Sequence, residues 1–533
     1  MTIKSPIVRN LFLLFFIAFM LKGVVHAEKP GYGGTLIFGS MGEPICLDPG
    51  VIMDSESAQV ANAIFETLVE YDADRDSYKS KLAISWDISP DRKKYTFHLR
   101  KNVRFHDGNP FNAGAVKFSW GRQRHAAHPF HNPSYGKFIY YRSLWGGFPG
   151  NIKEIKIINN YTVQVILYSR SYRFLKEISA IQFAIVSPHA VNEHGNEFYR
   201  NPVGTGPFKF VEWRRWHRIV LDANRKYWGG RPYLDRLFFE PAPGEKSRRR
   251  HMERNRIDMM ENPTTDFLYN INVKSKYSNL KTKKMPDVNF SYLCINCQKP
   301  PFNNPKVRKA LNYAIDKKRI VRDINENLPV APSPYKTLWG LDIGAQSYPL
   351  NHNAARKLLH EAGYSGGFEV NLWYPKISRP YLISPVRVAQ GVAKSLREVG
   401  LKVKLRGLKW ETYLEKLRYG QHELAITGFV GMNYDPDLYF EMNWDRNNAV
   451  FGGTNNSFYR NEYISRLLTS SRFEPGRKSR ARNYGKIQKI LRDDSPIIPL
   501  YYYQTSAVMN KSIHGFSANR KGIINFSRIW MKK

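Results

Sequence analysis

Leu82-Ala83-Ile84-Ser85-Trp86 runs through Ser89-Pro90-Asp91 into Tyr95-Thr96-Phe97-His98-Leu99-Arg100, and then into Val103-Arg104-Phe105-His106-Asp107-Gly108-Asn109-Pro110-Phe111-Asn112-Ala113. The first segment is short and apolar and ends in a Ser-Pro-Asp signal, so it reads as a strand closed by a turn. Tyr95, Phe97 and Leu99 alternate with Thr96, His98 and Arg100, the period of two that a half-buried strand needs. Asp107-Gly108 supplies a second turn, and Asn112 can cap the first free N–H groups of a helix starting there. The stretch therefore predicts strand, turn, strand, turn, helix.

On its N-terminal side, Gly33 to Ser40 reads as a first strand, with Pro44 and Asp48-Pro49 marking the loop behind it. Ser57 to Tyr71 is expected to be a helix, because Val60, Ala63, Ile64, Thr67 and Leu68 recur at helical spacing. The loop before it, Met53-Asp54-Ser55, is expected to face a cleft. On the C-terminal side, Ile152 to Leu167 reads as a β-hairpin turning at Asn159-Asn160. Much later, the apolar run Leu424-Ala425-Ile426 reads as a buried strand that breaks at Gly428 and Gly431 before Asp435-Pro436-Asp437. The two glycines let another group approach the backbone, and Asp435-Pro436 favours a turn that opens a helix at Leu438. An ordinary strand-to-helix loop fits this stretch as well as a ligand site does.

The bulk properties narrow the field. At 533 residues the chain exceeds one compact core and should divide into two to four lobes. Lys4 and Arg9 precede the apolar run Leu11 to Leu21, and Val25-His26-Ala27 offers small residues where a signal peptidase cuts, so residues 1–27 are expected to be a signal peptide removed after Ala27. That run is too short to span a bilayer, and the mature chain is expected to be exported. The net charge of +37 is extreme, but the Lys and Arg residues are scattered, and the densest cluster, Lys246 to His251, is flanked by Glu245 and Glu253. Without a recognisable nucleic-acid module, no nucleic acid partner is expected. Cys46, Cys294 and Cys297 allow one disulfide at most; Cys294 and Cys297 lack the second pair that a zinc site needs, and a structural role is expected.

Catalytic signatures are missing from the chain. There is no Gly-x-Ser-x-Gly, His-Glu-x-x-His or phosphate-cradling glycine loop, and Asp435 and Asp437 sit at turn spacing around a proline. No catalytic residue, metal ligand or cofactor is assigned. His125, His128 and His131 could ligate a metal or serve a hydrolase, although Pro129 opposes a helix presenting all three on one face.

The strand-turn-strand-turn-helix run closely resembles the signature of the family-5 extracellular solute-binding proteins of ABC importers. Further landmarks are Asn201-Pro-Val-Gly-Thr-Gly-Pro-Phe208, Asn224-Arg-Lys-Tyr-Trp-Gly-Gly-Arg-Pro232, Lys299 to Asp316 and Asn353 to Gly363, so the resemblance covers nearly the whole mature chain. It implies an α/β, two-lobe periplasmic binding protein of class II type in the large family-5 form, with an extra subdomain on the first lobe. The expected division is 28–285 for lobe I with its subdomain, 286–505 for lobe II and 506–533 for the return to lobe I.

The implied activity is capture of short, dipeptide-like peptides by a monomer. The implied partner is an ABC permease heterodimer with ATPase subunits at the inner membrane. A haem-binding or antimicrobial-peptide-binding relative is the alternative. In the dipeptide-binding members an Arg-Pro-Tyr arginine holds the peptide carboxylate, which implies Arg379 and Tyr381 here. An aspartate in the glycine loop holds the amino group in those relatives, and its aligned position here is Met432. The ligand is therefore expected to meet Gly428, Phe429, Met432 and Asp435 on one side and Met53, Asp54 and Ser55 on the other, with Asp54 or Asp435 supplying the missing charge.

Overall fold

Asn112 accepts a hydrogen bond from the Ala115 N–H at 3.1 Å and caps the helix Ala113–Arg124, as its position after the second turn predicts. The computed structural model describes residues 29–131, 133–324, 328–339, 341–343, 346–431 and 436–532. Ala83–Ile88 and Lys94–Leu99 pair antiparallel, Thr162–Leu167 adds to the second of them, and Ile152–Asn159 completes a four-stranded sheet. Tyr95, Phe97 and Leu99 turn inward to share one core with Trp120, Val163 and Val165, which is what their alternation requires.

Two larger sheets carry the rest. A seven-stranded sheet runs in the order Leu280–Lys284, Ser506–Asn510, Met259–Glu261, Thr35–Ser40, Arg236–Pro241, Arg218–Ala223, Phe208–Arg214. A five-stranded sheet runs Lys402–Leu408, Glu369–Pro375, Leu424–Phe429, Asn289–Ile295, Ile497–Tyr503. Every strand of the second sheet thus lies between two strands of the first in sequence. The molecule is a two-lobe α/β periplasmic binding protein fold, and the four-stranded sheet is its extra subdomain. Between the sheets the two connecting segments run side by side, with the Met285 N–H donating to the Thr505 carbonyl at 2.8 Å and the Thr505 hydroxyl to Asp287 Oδ2 at 2.5 Å.

The expected helix from Ser57 to Tyr71 differs from what forms. The helix is Ser55–Ile64, begun two residues earlier by the Asp54 cap, and Val69–Asp72 is a strand. Tertiary contacts override the helical spacing there. The Ile64 carbonyl accepts from the Gly206 N–H at 2.9 Å, and the Glu66 carbonyl accepts from the Ile185 N–H at 2.9 Å, so the chain is pulled out of the helix after Phe65. Glu66 itself is buried and gathers the Thr205 hydroxyl, the Tyr227 hydroxyl and the Trp228 indole N–H.

Residues 1–27, the expected signal peptide, lie outside the described residues. Among those described, no helix is long and apolar enough to cross a membrane.

Candidate ligand site between the lobes

Leu424–Phe429 sits inside the five-stranded sheet, parallel to Glu369–Pro375 and antiparallel to Asn289–Ile295, and its first residues are fully buried. This explains the unbroken apolar run Leu424-Ala425-Ile426, since a strand covered on both faces has no solvent side. Gly428 has a different purpose from the approach of an outside group. A Cβ there would lie 2.3 Å from the Phe290 carbonyl oxygen and 2.4 Å from the Tyr381 ring, so the glycine makes room for the chain's own tyrosine. Gly431 takes φ +69°, which glycine adopts without penalty, and its N–H donates to Asn289 Oδ1 at 3.0 Å. Met432, Tyr434 and Asp435 lie outside the described residues. The chain resumes in the helix Pro436–Trp444, which starts two residues before the Leu438 opening expected from the Asp-Pro signal.

Of the nine ligand residues expected from the sequence, Met53, Asp54, Ser55, Arg379, Tyr381, Gly428 and Phe429 line one cavity of about 310 Å³. It is walled by the N-terminal end of the helix Ser55–Ile64, the subdomain, the five-stranded sheet and the C-terminal return around Lys521. The volume is near the lower end of the roughly 300–1,000 Å³ usual for small-molecule sites.

Arg379 is placed by a tight turn in which Arg379 and Leu382 exchange both backbone hydrogen bonds. Its guanidinium lies over the Trp410 ring at 4.1 Å, and Nη2 donates to Glu56 Oε2 at 2.6 Å and to the Ser55 hydroxyl at 3.0 Å. The side chain is only 2 % exposed. The arginine expected to stand ready for a ligand carboxylate therefore already has a carboxylate, supplied from the other lobe. Glu56 gave no sign in the sequence, because an acid in the first turn of a helix ordinarily faces solvent and favours the dipole.

Asp54 is not a free charge either. Its Oδ1 accepts from the Ser57 N–H at 2.9 Å, capping the helix. Burial pushes its carboxyl up to about 6, with the like charge of Glu56 adding to the rise and the Ser57 hydrogen bonds and Arg379 opposing it. The cavity thus contains an acid that changes charge in mildly acidic solution. A third polar residue, Arg418, lines the same cavity from the last position of the helix Trp410–Arg418. Nothing in the sequence singles it out, since an arginine in a last helical turn normally reads as a solvated partner of the helix dipole.

The histidine candidates do not converge. His131 is buried, with Nδ1 at 2.9 Å from the Arg122 carbonyl and its ring edge-on to Phe148, whereas His128 packs against Phe118. Among the described residues, no group of three His, Cys, Asp or Glu side chains could hold a metal ion. The three cysteines are free thiols; Cys46 and Cys294 are buried, and burial pushes the Cys294 thiol well above its ordinary range.

Known proteins resemble this chain in sequence and fold. The sequence model of the bacterial extracellular solute-binding proteins, family 5, matches residues 77–451. The chain is 29 % identical to the dipeptide-binding protein of Escherichia coli K12 over 93 % of this chain and 94 % of that one. It is also 29 % identical to heme-binding protein A of Haemophilus influenzae over 93 % and 92 %. Among solved structures, an ABC transporter-associated periplasmic binding protein from Helicobacter pylori in complex with the peptide STSA superposes with a TM-score of 0.88 at 29 % identity, covering 94 % of this chain and 99 % of that one. The Pseudoalteromonas dipeptide-binding protein in complex with Met-Leu gives the same TM-score at 25 % identity, covering 94 % of this chain and 100 % of that one. With the matched region running from the subdomain across the cleft to the far lobe, this chain belongs to the family-5 bacterial extracellular solute-binding proteins.

Proposed function

We propose that this chain is an exported, non-enzymatic monomer that captures short peptides in the periplasm. It hands them to an inner-membrane ABC permease heterodimer driven by ATPase subunits. The observation that carries the reading is the single cavity where seven of the nine expected residues meet, with groups of both signs on its wall. A short peptide is the complementary ligand, having a positive and a negative end and a backbone for the polar wall. The printed ligands of the structural relatives, STSA and Met-Leu, support the same class. Residues 1–27 are then the signal peptide cut after Ala27, 28–285 and 506–533 form one lobe, and 286–505 form the other. The two connecting segments that run side by side at Met285 and Thr505 act as the hinge.

In this reading Tyr381 and Phe429 supply apolar wall, Met53 and Ser55 close the near side, and Gly428 lets Tyr381 take its place. Met432 and Asp435 are the two remaining residues assigned to the ligand in this reading. Asp54 takes the peptide ammonium, the role that an aspartate at the Met432 position has in relatives. Native mass spectrometry of freshly purified protein tests the class: a bound mass in the di- to tripeptide range is expected. A haem mass with a Soret band, or a retained metal, overturns it.

The Asp54 assignment has a pH signature. Burial raises the carboxyl to about 6 and so disfavours its ionised form, while an ammonium ligand requires that form. Affinity is expected to be full above pH 6 and to fall by about tenfold per pH unit below it, because each binding event then releases a proton. Asp54→Asn should bind more weakly and lose this slope. A slope that persists in the variant assigns the proton to another group.

A further inference from the structure

Two arginines line the cavity, and they are not equivalent. Arg379 spends its Nη2 donor and its charge on Glu56, with the ring of Trp410 over its face. Arg418 makes no side-chain hydrogen bond or ion pair among the described residues. Both Arg418 and Asp54 line the cavity, and burial pulls the Arg418 guanidinium down from the ordinary arginine range while the charge of Asp54 opposes it. A cation held in a protein cleft without a counter-charge is costly, and an anion that enters and forms two parallel hydrogen bonds recovers that cost. At Arg379 a ligand carboxylate meets a guanidinium whose charge Glu56 already compensates, with the buried Nε and Nη1 left to donate, whereas at Arg418 it meets a guanidinium with no ion-pair partner among the described residues.

From this asymmetry we infer that Arg418 is the residue that reads the ligand's carboxylate, with Asp54 as the opposite pole and Arg379 as a lobe-to-lobe bridge. The inference rests on the peptide reading proposed above and fixes the direction of the peptide in the cavity. Its C-terminal end lies toward the helix Trp410–Arg418 and its amino end toward the helix Ser55–Ile64. A ligand bearing a carboxylate at that end is selected over the same ligand with the charge removed.

Calorimetric titration with the dipeptide Met-Leu and with its C-terminal amide tests this as a ratio within each protein, which is independent of how much of a variant is folded. The unmodified protein is expected to bind the free acid about ten- to a hundred-fold more tightly than the amide, the range for a charged hydrogen-bonded contact. Arg418→Gln is expected to bind the two within about twofold. Arg418→Lys, which keeps the charge and loses the fork, should regain part of the preference. Arg379→Gln should weaken both ligands and leave the ratio intact. An Arg418→Gln protein that keeps the full preference, or an Arg379→Gln protein that loses it, overturns the assignment and leaves the peptide reading standing. Failure of the unmodified protein to bind either form overturns the peptide reading and this inference with it.

Discussion

Asp437→Ala is expected to lower the unfolding free energy by about 3–5 kcal/mol, the cost of stripping the carboxylate from a buried charge cluster. Asp437 is 2 % exposed. Its Oδ2 lies 3.3 Å from Lys176 Nζ and 3.3 Å from Arg480 Nη1, and Oδ1 accepts from the Tyr484 hydroxyl. One turn on, the fully buried Glu441 holds Arg173 at 3.3 Å and also Arg472. Arg173 and Lys176 belong to the subdomain, whereas Asp437 and Glu441 lie on the helix Pro436–Trp444 of the other lobe, so the cluster ties the lobes together. Urea unfolding measures the loss as a lower midpoint at unchanged slope.

The same residue sets an acid limit. Burial pushes the Asp437 carboxyl up, but Lys176, Arg480 and Arg173 outweigh it and hold it well below the usual carboxylate range. A carboxyl lowered in the folded state stabilises above its unfolded pKa of about 4, and that contribution is lost as pH falls further. Asp437→Ala should therefore flatten the stability profile below pH 4 while lowering it above. A stability cost under about 1 kcal/mol, the size of an exposed ion pair, would sink the account.

Arg379→Ala should weaken ligand binding by at least about 3 kcal/mol, roughly two decades of affinity. Here the physical cause differs from the loss of a ligand contact. Removing the guanidinium leaves Glu56 buried beside Asp54 with no cation between them, so the closed arrangement that contains the cavity becomes the costly one. Glu56→Ala is expected to be damaging alone and much less so on top of Arg379→Ala. The two form a double-mutant cycle with a coupling of about 2 kcal/mol, measurable by calorimetry and by thermal unfolding. Additive effects would show that the pair does not hold the lobes together.

Local rules carried the sequence reading a long way. Alternation placed Tyr95, Phe97 and Leu99 inward, Asn112 capped its helix, and Asp435-Pro436 announced the helix Pro436–Trp444. These outcomes depend on neighbours within a few residues, so they are written in the chain. The helix expected across Ser57 to Tyr71 broke at Phe65 because the Gly206 N–H, distant in sequence, reached the Ile64 carbonyl. No periodicity within the segment contains that event.

The site divides the same way. The resemblance brought Arg379 and Tyr381 to notice, the glycine-broken strand end Gly428 and Phe429, and the loop before the first helix Met53, Asp54 and Ser55, and the cavity gathers all seven. What each group does there was decided only by folding. Gly428 is small for the sake of Tyr381, Arg379 is neutralised by Glu56 from 323 residues away, and Arg418 is left facing the cavity. The sequence by itself determined the local turns, caps and strand alternation, since these depend on near neighbours, and its family resemblance implied the two-lobe fold. Which charges remain available to a ligand was decided by the tertiary structure alone, because a buried charge is defined by the partner that the closed lobes bring to it.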